Sequence, residues 1–225
     1  MRLKTALFRR FLSTSAAPWF WASAIPYSPN FGVHVQRDFL TEEEHTALTA
    51  ECSAALGRLD YEAGHWDGVI TNYKEVQRDV SSLSPVSRAA VHRAQAAFPA
   101  RARGRGPPQP HFHALELSAT GFISAHVDSV KFSGGVVCGL CLLSDAVMVL
   151  TPDPAPPAAA AAATAVAPEV RILLPRRCLY TLTEDARYAW AHAVPTGAAA
   201  TYRGAAVARG RRISVMLRDE VSAAS

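Results

Sequence analysis

Hydrophobic and polar residues follow different periods in the two halves of this chain. In the first half, Thr41 and Glu44 form a capping box, in which each side chain can bond the other residue's backbone N–H. The apolar positions that follow recur at helical spacing and predict a helix over Glu42–Leu56. Ser84 followed by a proline is typical of a helix start, so a second helix is predicted over Pro85–Phe98.

From His111 onward the pattern changes to short runs rich in valine, leucine and aromatic residues, separated by turn residues. Such runs predict strands, at 112–117, 122–126, 135–143, 146–150, 169–174, 178–183, 189–194 and 211–218. Several short strands after two helices predict an α+β, mainly β fold. We expect a double-stranded β-helix, that is, a jelly roll or cupin-like barrel, with the N-terminal helices packed on one face.

The N-terminal segment differs from the rest in composition. Its first 37 residues contain no acid, and the basic ones are Arg2, Lys4, Arg9, Arg10 and Arg37. This composition predicts an organellar transit peptide and disordered leader over 1–32, with a disordered surface tail as the alternative. The apolar run 16–26 is too short for a membrane-spanning helix, so no membrane span is expected.

The domain itself is predicted over 33–218, and two low-complexity segments are set apart from it. The alanine- and proline-rich stretch 151–168 is interpreted as a loop insertion, and 219–225 as a disordered tail. The formal net charge is +4, and removing the four basic residues before position 11 lowers it to about zero. A near-neutral protein lacks the overall basicity of a non-specific nucleic-acid binder.

Four cysteines in a chain of this length fit a reducing compartment better than a disulfide framework. Cys138 and Cys141 have CxxC spacing inside a predicted strand. Residues three apart on a strand face opposite ways, so we expect these two thiols to pack in the core rather than share a metal.

The segment from Arg58 to Lys74 is dense in aromatic and charged residues and allows two interpretations. In one it is a surface loop and edge strand, with Tyr61 and Trp66 packed on the core. In the other it is a substrate-facing flap, with His65, Trp66 and Asp67 near the mouth of a site.

The candidate chemistry begins at His126 and Asp128, two residues apart in an extended, apolar context. Alternation along a strand puts both side chains on one face. An imidazole and a carboxylate there are two thirds of the 2-His-1-carboxylate triad that binds Fe(II). His192, on a later predicted strand, is the candidate third ligand.

The last predicted strand adds a second requirement. Alternation over 211–218 puts Arg212, Ser214, Met216 and Arg218 on one face and apolar residues on the other. In a barrel packed on both sides, buried arginines need a carboxylate partner, and a dicarboxylate ligand would provide it. The alternative is an edge strand with both arginines in water.

The order of these residues resembles that of the AlkB-like Fe(II)/2-oxoglutarate dioxygenases, and most closely their mitochondrial branch. The family motifs are matched by H-V-D at 126–128, R-Y-x-x-x-H at 187–192 and R-I-S-V-M-L-R at 212–218. In the last motif Ser214 stands where the family has asparagine. The mitochondrial branch is further matched by Y-E-x-x-H-W-D at 61–67, G-F-I-S-A-H-V-D-S-V-K-F at 121–132, L-Y-T-L at 179–182 and R-G-R-R-I-S-V at 209–215.

The resemblance implies a role for each candidate residue. His126, Asp128 and His192 would bind Fe(II), and O2 would be the oxidant. The residues implied to contact 2-oxoglutarate are Tyr180, Arg212, Ser214 and Arg218. Arg212 would hold the distal carboxylate, and Arg218 would lie near the keto-acid end. The implied reaction oxidises a substrate C–H bond while 2-oxoglutarate is converted to succinate and CO2.

The substrate is less determined. Members that repair nucleic acids carry Asn-x-Tyr where this chain has Leu115 and Leu117. We therefore expect a protein side chain as substrate, in the mitochondrial matrix rather than a plastid, and a monomeric enzyme. The resemblance also implies roles in fatty-acid metabolism and programmed necrosis.

Two alternatives stay open. The chain could demethylate bases in mitochondrial RNA, with Trp66 or Tyr73 stacking on a base and phosphates bound by Arg101, Arg103 and Arg105. It could also be a non-catalytic metal-binding scaffold.

Overall fold

The computed structural model describes residues 18–22, 28–153 and 168–222, so most of the predicted leader and of the alanine-rich insertion lie outside the described residues. The described strands are β1 (Phe20–Ala22), β2 (Val33–Gln36), β3 (Glu62–Gly64), β4 (Ile70–Asp79), β5 (His111–His126), β6 (Val137–Leu142), β7 (Ala146–Pro152), β8 (Val170–Leu174), β9 (Leu179–Leu182), β10 (Trp190–Val194), β11 (Thr201–Tyr202), β12 (Ala205–Ala206) and β13 (Arg212–Arg218). The described α-helices are α1 (Glu42–Leu56), α2 (Pro85–Ala96) and α3 (Glu184–Tyr188).

Eleven of these strands form one curled antiparallel sheet, in the order β1-β8-β7-β10-β5-β13-β6-β9-β2, with β4 pairing with β5 and β3 with β4. Strand β5 belongs to both halves of this sheet. Its first part pairs with β13 and β4, whereas its end pairs with β10. The predicted mainly β jelly roll is confirmed, and the two strands expected at 112–117 and 122–126 are one continuous strand.

Helices α1 and α2 pack on the outer face of the sheet, as predicted. Thr41 and Glu44 form both bonds of the capping box, and α1 has the bounds that the sequence predicts. Leu48 and Val91, one from each helix, are completely buried against the β6 and β13 side chains Leu140 and Val215. Helix α2 ends at Ala96, two residues earlier than predicted.

Three features of the fold depart from the sequence interpretation. Strand β4 was expected only as part of a loop and edge strand, yet it pairs with β5 over most of its length. Within the predicted leader, Phe20–Ala22 forms a strand on β8, so ordered structure begins before Val33. Within the predicted tail, Asp219 is fully buried.

Among the described helices, none is both long and apolar enough to cross a bilayer.

Candidate metal and co-substrate site

The pairing of β5 with β10 brings two histidines from distant parts of the chain side by side. His126 and His192 are directly opposite in the register, and their ring centroids are 4.3 Å apart. Asp128 follows two residues after β5 ends, and its Oδ1 lies 3.2 Å from His126 Nε2 and 3.9 Å from His192 Nε2. One ligand atom of each residue lies within 4.8 Å of the others, so the three side chains could hold one metal ion.

The protonation states of Asp128 and His192 suit a metal site. Burial alone would raise the pKa of Asp128, but bonding to His126 and the charge of Arg218 hold it well below its usual range. Burial and the neighbouring His126 lower the pKa of His192 to about 4. Asp128 is therefore ionised and His192 neutral near pH 7, which are the states that bind metal. The donor set matches the 2-His-1-carboxylate site of non-haem Fe(II) oxygenases.

The loop that carries Asp128 is held in place by a buried arginine. Arg187, in α3, is 2 % exposed. Its guanidinium donates to the carbonyl oxygens of Asp128, Ser133 and Gly134 at 2.8, 3.1 and 3.2 Å, and to Ser133 Oγ at 2.8 Å. In the sequence Arg187 stands in the R-Y-x-x-x-H motif without a predicted role, because its acceptors are backbone atoms that only the folded loop brings together.

Two further residues complete this support. Arg218 Nε donates to Asp128 Oδ2 at 3.1 Å, which orients the carboxylate. The Asp219 carboxylate accepts from the backbone N–H groups of Gly106, Gly135 and Val136, at 2.8, 3.0 and 2.9 Å. The loop after Asp128 is thus fixed from both sides, although it has no regular secondary structure.

The β13 alternation places Arg212 and Ser214 on the inner face, and both are buried. Arg212 is 1 % exposed, and no carboxylate among the described residues lies within salt-bridge distance of it. Its Nη2 lies 3.5 Å from Cys141 Sγ, its Nε has no hydrogen-bond partner, and Ser214 Oγ has none. A buried, unpaired guanidinium is costly, so this pocket has the chemistry of a carboxylate-binding site.

Tyr180 lies on the same inner face, on β9, and is 6 % exposed. Burial raises its pKa to about 12, so the hydroxyl stays protonated and can donate a hydrogen bond. Gly139, opposite Tyr180 in the register, leaves room for the ring, because a Cβ there would lie 2.4 Å from it. The structure therefore groups Tyr180, Arg212 and Ser214, and it places Arg218 at Asp128.

The segment 58–74 borders the metal cluster. Ser124 N donates to Val69 O at 2.8 Å, which fixes the hairpin between β3 and β4 beside the end of β5. At its tip His65 Nδ1 lies 2.7 Å from Asp67 Oδ1, and Trp66 is 90 % exposed. The interpretation of Tyr61 and Trp66 as packed on the core is wrong, since Tyr61 is also exposed.

Comparison with known proteins adds to this geometry. No family model matches the chain. In solved structures, the chain resembles a prolyl hydroxylase from Trichoplax adhaerens in complex with a hypoxia inducible factor peptide (TM-score 0.57, 12 % identity, covering 85 % of this chain and 84 % of that one). It also resembles a Pseudomonas putida prolyl-4-hydroxylase (TM-score 0.55, 17 % identity, covering 84 % and 94 %). At such identities these likenesses show the fold alone, a jelly roll, and the His-Asp-His cluster lies on it.

Two curated relatives are closer in sequence. The mitochondrial alpha-ketoglutarate-dependent dioxygenases alkB homolog 7 of Mus musculus and Bos taurus are each 35 % identical to this chain over 188 residues, covering 82 % of it and 77 % of each relative. The chain belongs to the alkB homolog 7 family of alpha-ketoglutarate (2-oxoglutarate) dependent dioxygenases.

Replacing Arg187 tests the support of the Asp128 loop. Arg187→Met removes four hydrogen bonds next to a metal-binding carboxylate, and we expect metal affinity to fall by about 10-fold or more. Anaerobic titration with Fe(II), with thermal unfolding of the metal-free variant as a check on folding, measures this. The matched control is Arg88→Met, a partly buried arginine of α2 whose guanidinium donates to Ser81 O. Unchanged metal affinity in a folded Arg187→Met variant would contradict the assignment.

Proposed function

We propose that this chain is an Fe(II)- and 2-oxoglutarate-dependent dioxygenase in which His126, Asp128 and His192 bind the iron and Arg212 binds the distal carboxylate of 2-oxoglutarate. The single observation that carries the proposal is the pairing of two features on one inner face. One is a three-residue cluster able to hold a metal, and the other is a buried guanidinium with no carboxylate partner among the described residues.

Arg212 and the side chains around it would each contact a different part of the diacid. The Arg212 guanidinium neutralises its distal carboxylate, while Tyr180 and Ser214 supply hydroxyl groups beside it. Arg218, bonded to Asp128, provides positive charge near the keto-acid end. Bound iron would supply the activation of O2 that converts 2-oxoglutarate to succinate and CO2 while a substrate C–H bond is oxidised. The apolar inner surface around Leu115, Leu117 and Met216 excludes water from this chamber.

For the primary substrate, the proposal is a protein side chain. Two loops beside the metal cluster carry exposed apolar residues, with Trp66 90 % and Phe132 77 % exposed. Large exposed apolar side chains at the mouth of a site are typical of a surface that contacts another macromolecule. Leu115 and Leu117 form part of the apolar inner cluster and offer no polar atom to a base.

The RNA alternative has weaker support from the residues named for it. Tyr73 is 1 % exposed and its hydroxyl bonds Glu62 at 2.8 Å, so its ring faces the interior rather than a base. The Arg103 guanidinium already stacks on the Tyr188 ring at 4.5 Å and bonds Glu184 O. Trp66 remains available to stack. The scaffold alternative has little in its favour, because all three proposed iron ligands are present.

We also propose the cellular compartment in which the reaction takes place. The curated relatives are named as mitochondrial, which supports a mitochondrial location, and the proposed compartment is the matrix. Removal of a transit peptide within 1–32, a monomeric state, and roles in fatty-acid metabolism and programmed necrosis stay predictions. Because Phe20–Ala22 pairs with β8, a cleavage that keeps the sheet intact would occur before Pro18.

Replacing Arg212 tests the co-substrate assignment. Arg212→Met should weaken 2-oxoglutarate binding by about 100-fold, because a buried charge pair loses one partner. The matched control is Arg211→Met, whose side chain is about half exposed and lies 3.8 Å from Glu116 on the other face. Calorimetry of the Mn(II)-loaded proteins measures the affinity of each variant for 2-oxoglutarate. Succinate formation with Fe(II) measures their activity. If Arg212→Met binds 2-oxoglutarate with the wild-type affinity, the assignment of Arg212 to its distal carboxylate is wrong.

Replacing the exposed aromatics tests the substrate class. Peptides from a mitochondrial digest should stimulate succinate formation by the wild-type protein, and the double variant Trp66→Ala, Phe132→Ala should lose most of this stimulation. Trp21→Ala, on β1 at the far edge of the sheet, is the control. A stimulation by RNA that falls steeply between 50 and 200 mM salt would instead favour the RNA alternative.

A further inference from the structure

Two buried cysteines flank the Arg212 guanidinium. Cys141 and Cys178 are fully buried and belong to the inner apolar cluster with Tyr180. On β6, Cys141 lies opposite Ser214 of β13, beside the atoms assigned above to the co-substrate carboxylate. Cys138, the other cysteine of β6, faces the helices in the outer cluster, as strand alternation predicts.

Cys141 and Cys178 continue the pairing of β6 with β9. The last paired residues are Leu140 and Leu179, and beyond them Cys141 N donates to Cys178 O at 3.0 Å. The Cys141 carbonyl accepts from Arg177 N at 2.8 Å, so Cys178 lies across from Cys141 at a bulge that ends the pairing. Residues that face each other across antiparallel strands have Cα atoms about 4.5–5.5 Å apart, within the range that a disulfide spans. The Cys178 thiol also lies close enough to hydrogen-bond the Cys141 thiol, so the two sulfur atoms are neighbours.

The surroundings also distinguish these thiols from the other two. The bond from Cys178, together with the nearby Arg212 charge, lowers the pKa of Cys141 against the effect of its burial. Burial raises the pKa of Cys178, so it keeps its proton. Tyr180, Asp145 and Cys138 are further titratable groups near the pair. By contrast, burial raises the pKa of Cys52 to about 12 and that of Cys138 further. Nucleophilic thiolate is thus concentrated at Cys141.

We propose that Cys141 and Cys178 form a reversible redox-modification site inside the co-substrate pocket, oxidised to a disulfide by a peroxide and protected when 2-oxoglutarate occupies Arg212. The pair itself rests on the strand geometry, whereas the protection rests on the function proposed above. The Cys141 thiolate attacks one peroxide oxygen, the O–O bond breaks, and water leaves as Cys141 becomes a sulfenic acid. Cys178 sulfur then attacks the Cys141 sulfur, the S–OH bond breaks, and a second water leaves. In total two thiols lose two electrons and two protons, and one hydrogen peroxide becomes two waters.

The link to 2-oxoglutarate follows from competition for one guanidinium. In the structure the nearest partner of Arg212 Nη2 is Cys141 Sγ, at 3.5 Å. A carboxylate that takes the guanidinium removes the charge that stabilises the thiolate, so the reactive form of Cys141 becomes rarer. Coupling between two ligands of one group is reciprocal, and effects of about 5-fold or more are usual.

The test uses the full-length protein loaded with Mn(II) in place of Fe(II), so that peroxide is not consumed at the metal. Hydrogen peroxide is added with and without saturating 2-oxoglutarate, free thiols are alkylated, and peptides are mapped by mass spectrometry. We expect a Cys141–Cys178 cross-linked peptide, lost on reduction with dithiothreitol and formed at least about 5-fold more slowly with 2-oxoglutarate. Pyruvate, a keto acid without the second carboxylate, should protect much less.

The variants separate the possible results. Cys52→Ser and Cys138→Ser should keep the cross-link, and Cys141→Ser and Cys178→Ser should each abolish it. No cross-link in the wild-type protein, or one that involves Cys52 or Cys138, would overturn the proposal. If 2-oxoglutarate binds the protein but does not slow formation of the cross-link, the proposed coupling to Arg212 is wrong. If calorimetry shows no 2-oxoglutarate binding at all, the proposed function fails while the thiol pair stands.

Discussion

The positive charge of Arg212 constrains the structure more than any other single group. It is buried on the inner face of β13, between a strand that carries Leu117 and one that carries Cys141. The fold provides no carboxylate for it among the described residues, and the groups nearby are two thiols and two hydroxyl groups. A sheet that keeps such a cation in its interior is stable because other contacts compensate, and under the proposed function binding of a diacid would remove the cost. Ligand binding would then be linked to folding at this residue.

Strand β5 connects that pocket to the metal cluster. Near its start it pairs with β13, which carries both Arg212 and Arg218, and at its end it delivers His126 opposite His192. Asp128 lies beyond the strand, where Arg187, Arg218 and Asp219 hold its loop. Regular sheet pairing positions the two imidazoles, and a network of buried hydrogen bonds positions the carboxylate.

Local signals in the sequence were sufficient for some of these elements. The capping box and the proline after Ser84 predicted the starts of α1 and α2, because both act through neighbouring backbone atoms. The alternation over 211–218 predicted which face of β13 is apolar and which carries Arg212 and Ser214, and both faces are largely buried. The order of His126, Asp128 and His192 predicted three residues that the structure brings together. It did so through a family resemblance as well as through residue chemistry.

Other features depend on partners far away in the chain, and no local pattern shows them. Strand β4 is mostly polar along its length and is a strand because β5 pairs with it. In the sequence Asp219 looks like part of a polar tail. In the folded protein its carboxylate accepts hydrogen bonds from the backbone N–H groups of Gly106, Gly135 and Val136. Cys141 and Cys178 are 37 positions apart in the sequence, and only the pairing of β6 with β9 makes them neighbours.

The claim that His126, Asp128 and His192 share one iron is tested most directly by anaerobic Fe(II) binding and succinate formation in His126→Ala. The wild-type protein and the control His92→Ala, on the exposed side of α2, should bind one Fe(II) per chain and form succinate from 2-oxoglutarate. His126→Ala should do neither while keeping the circular dichroism of the wild type. Succinate formation at the wild-type rate in His126→Ala would contradict the account.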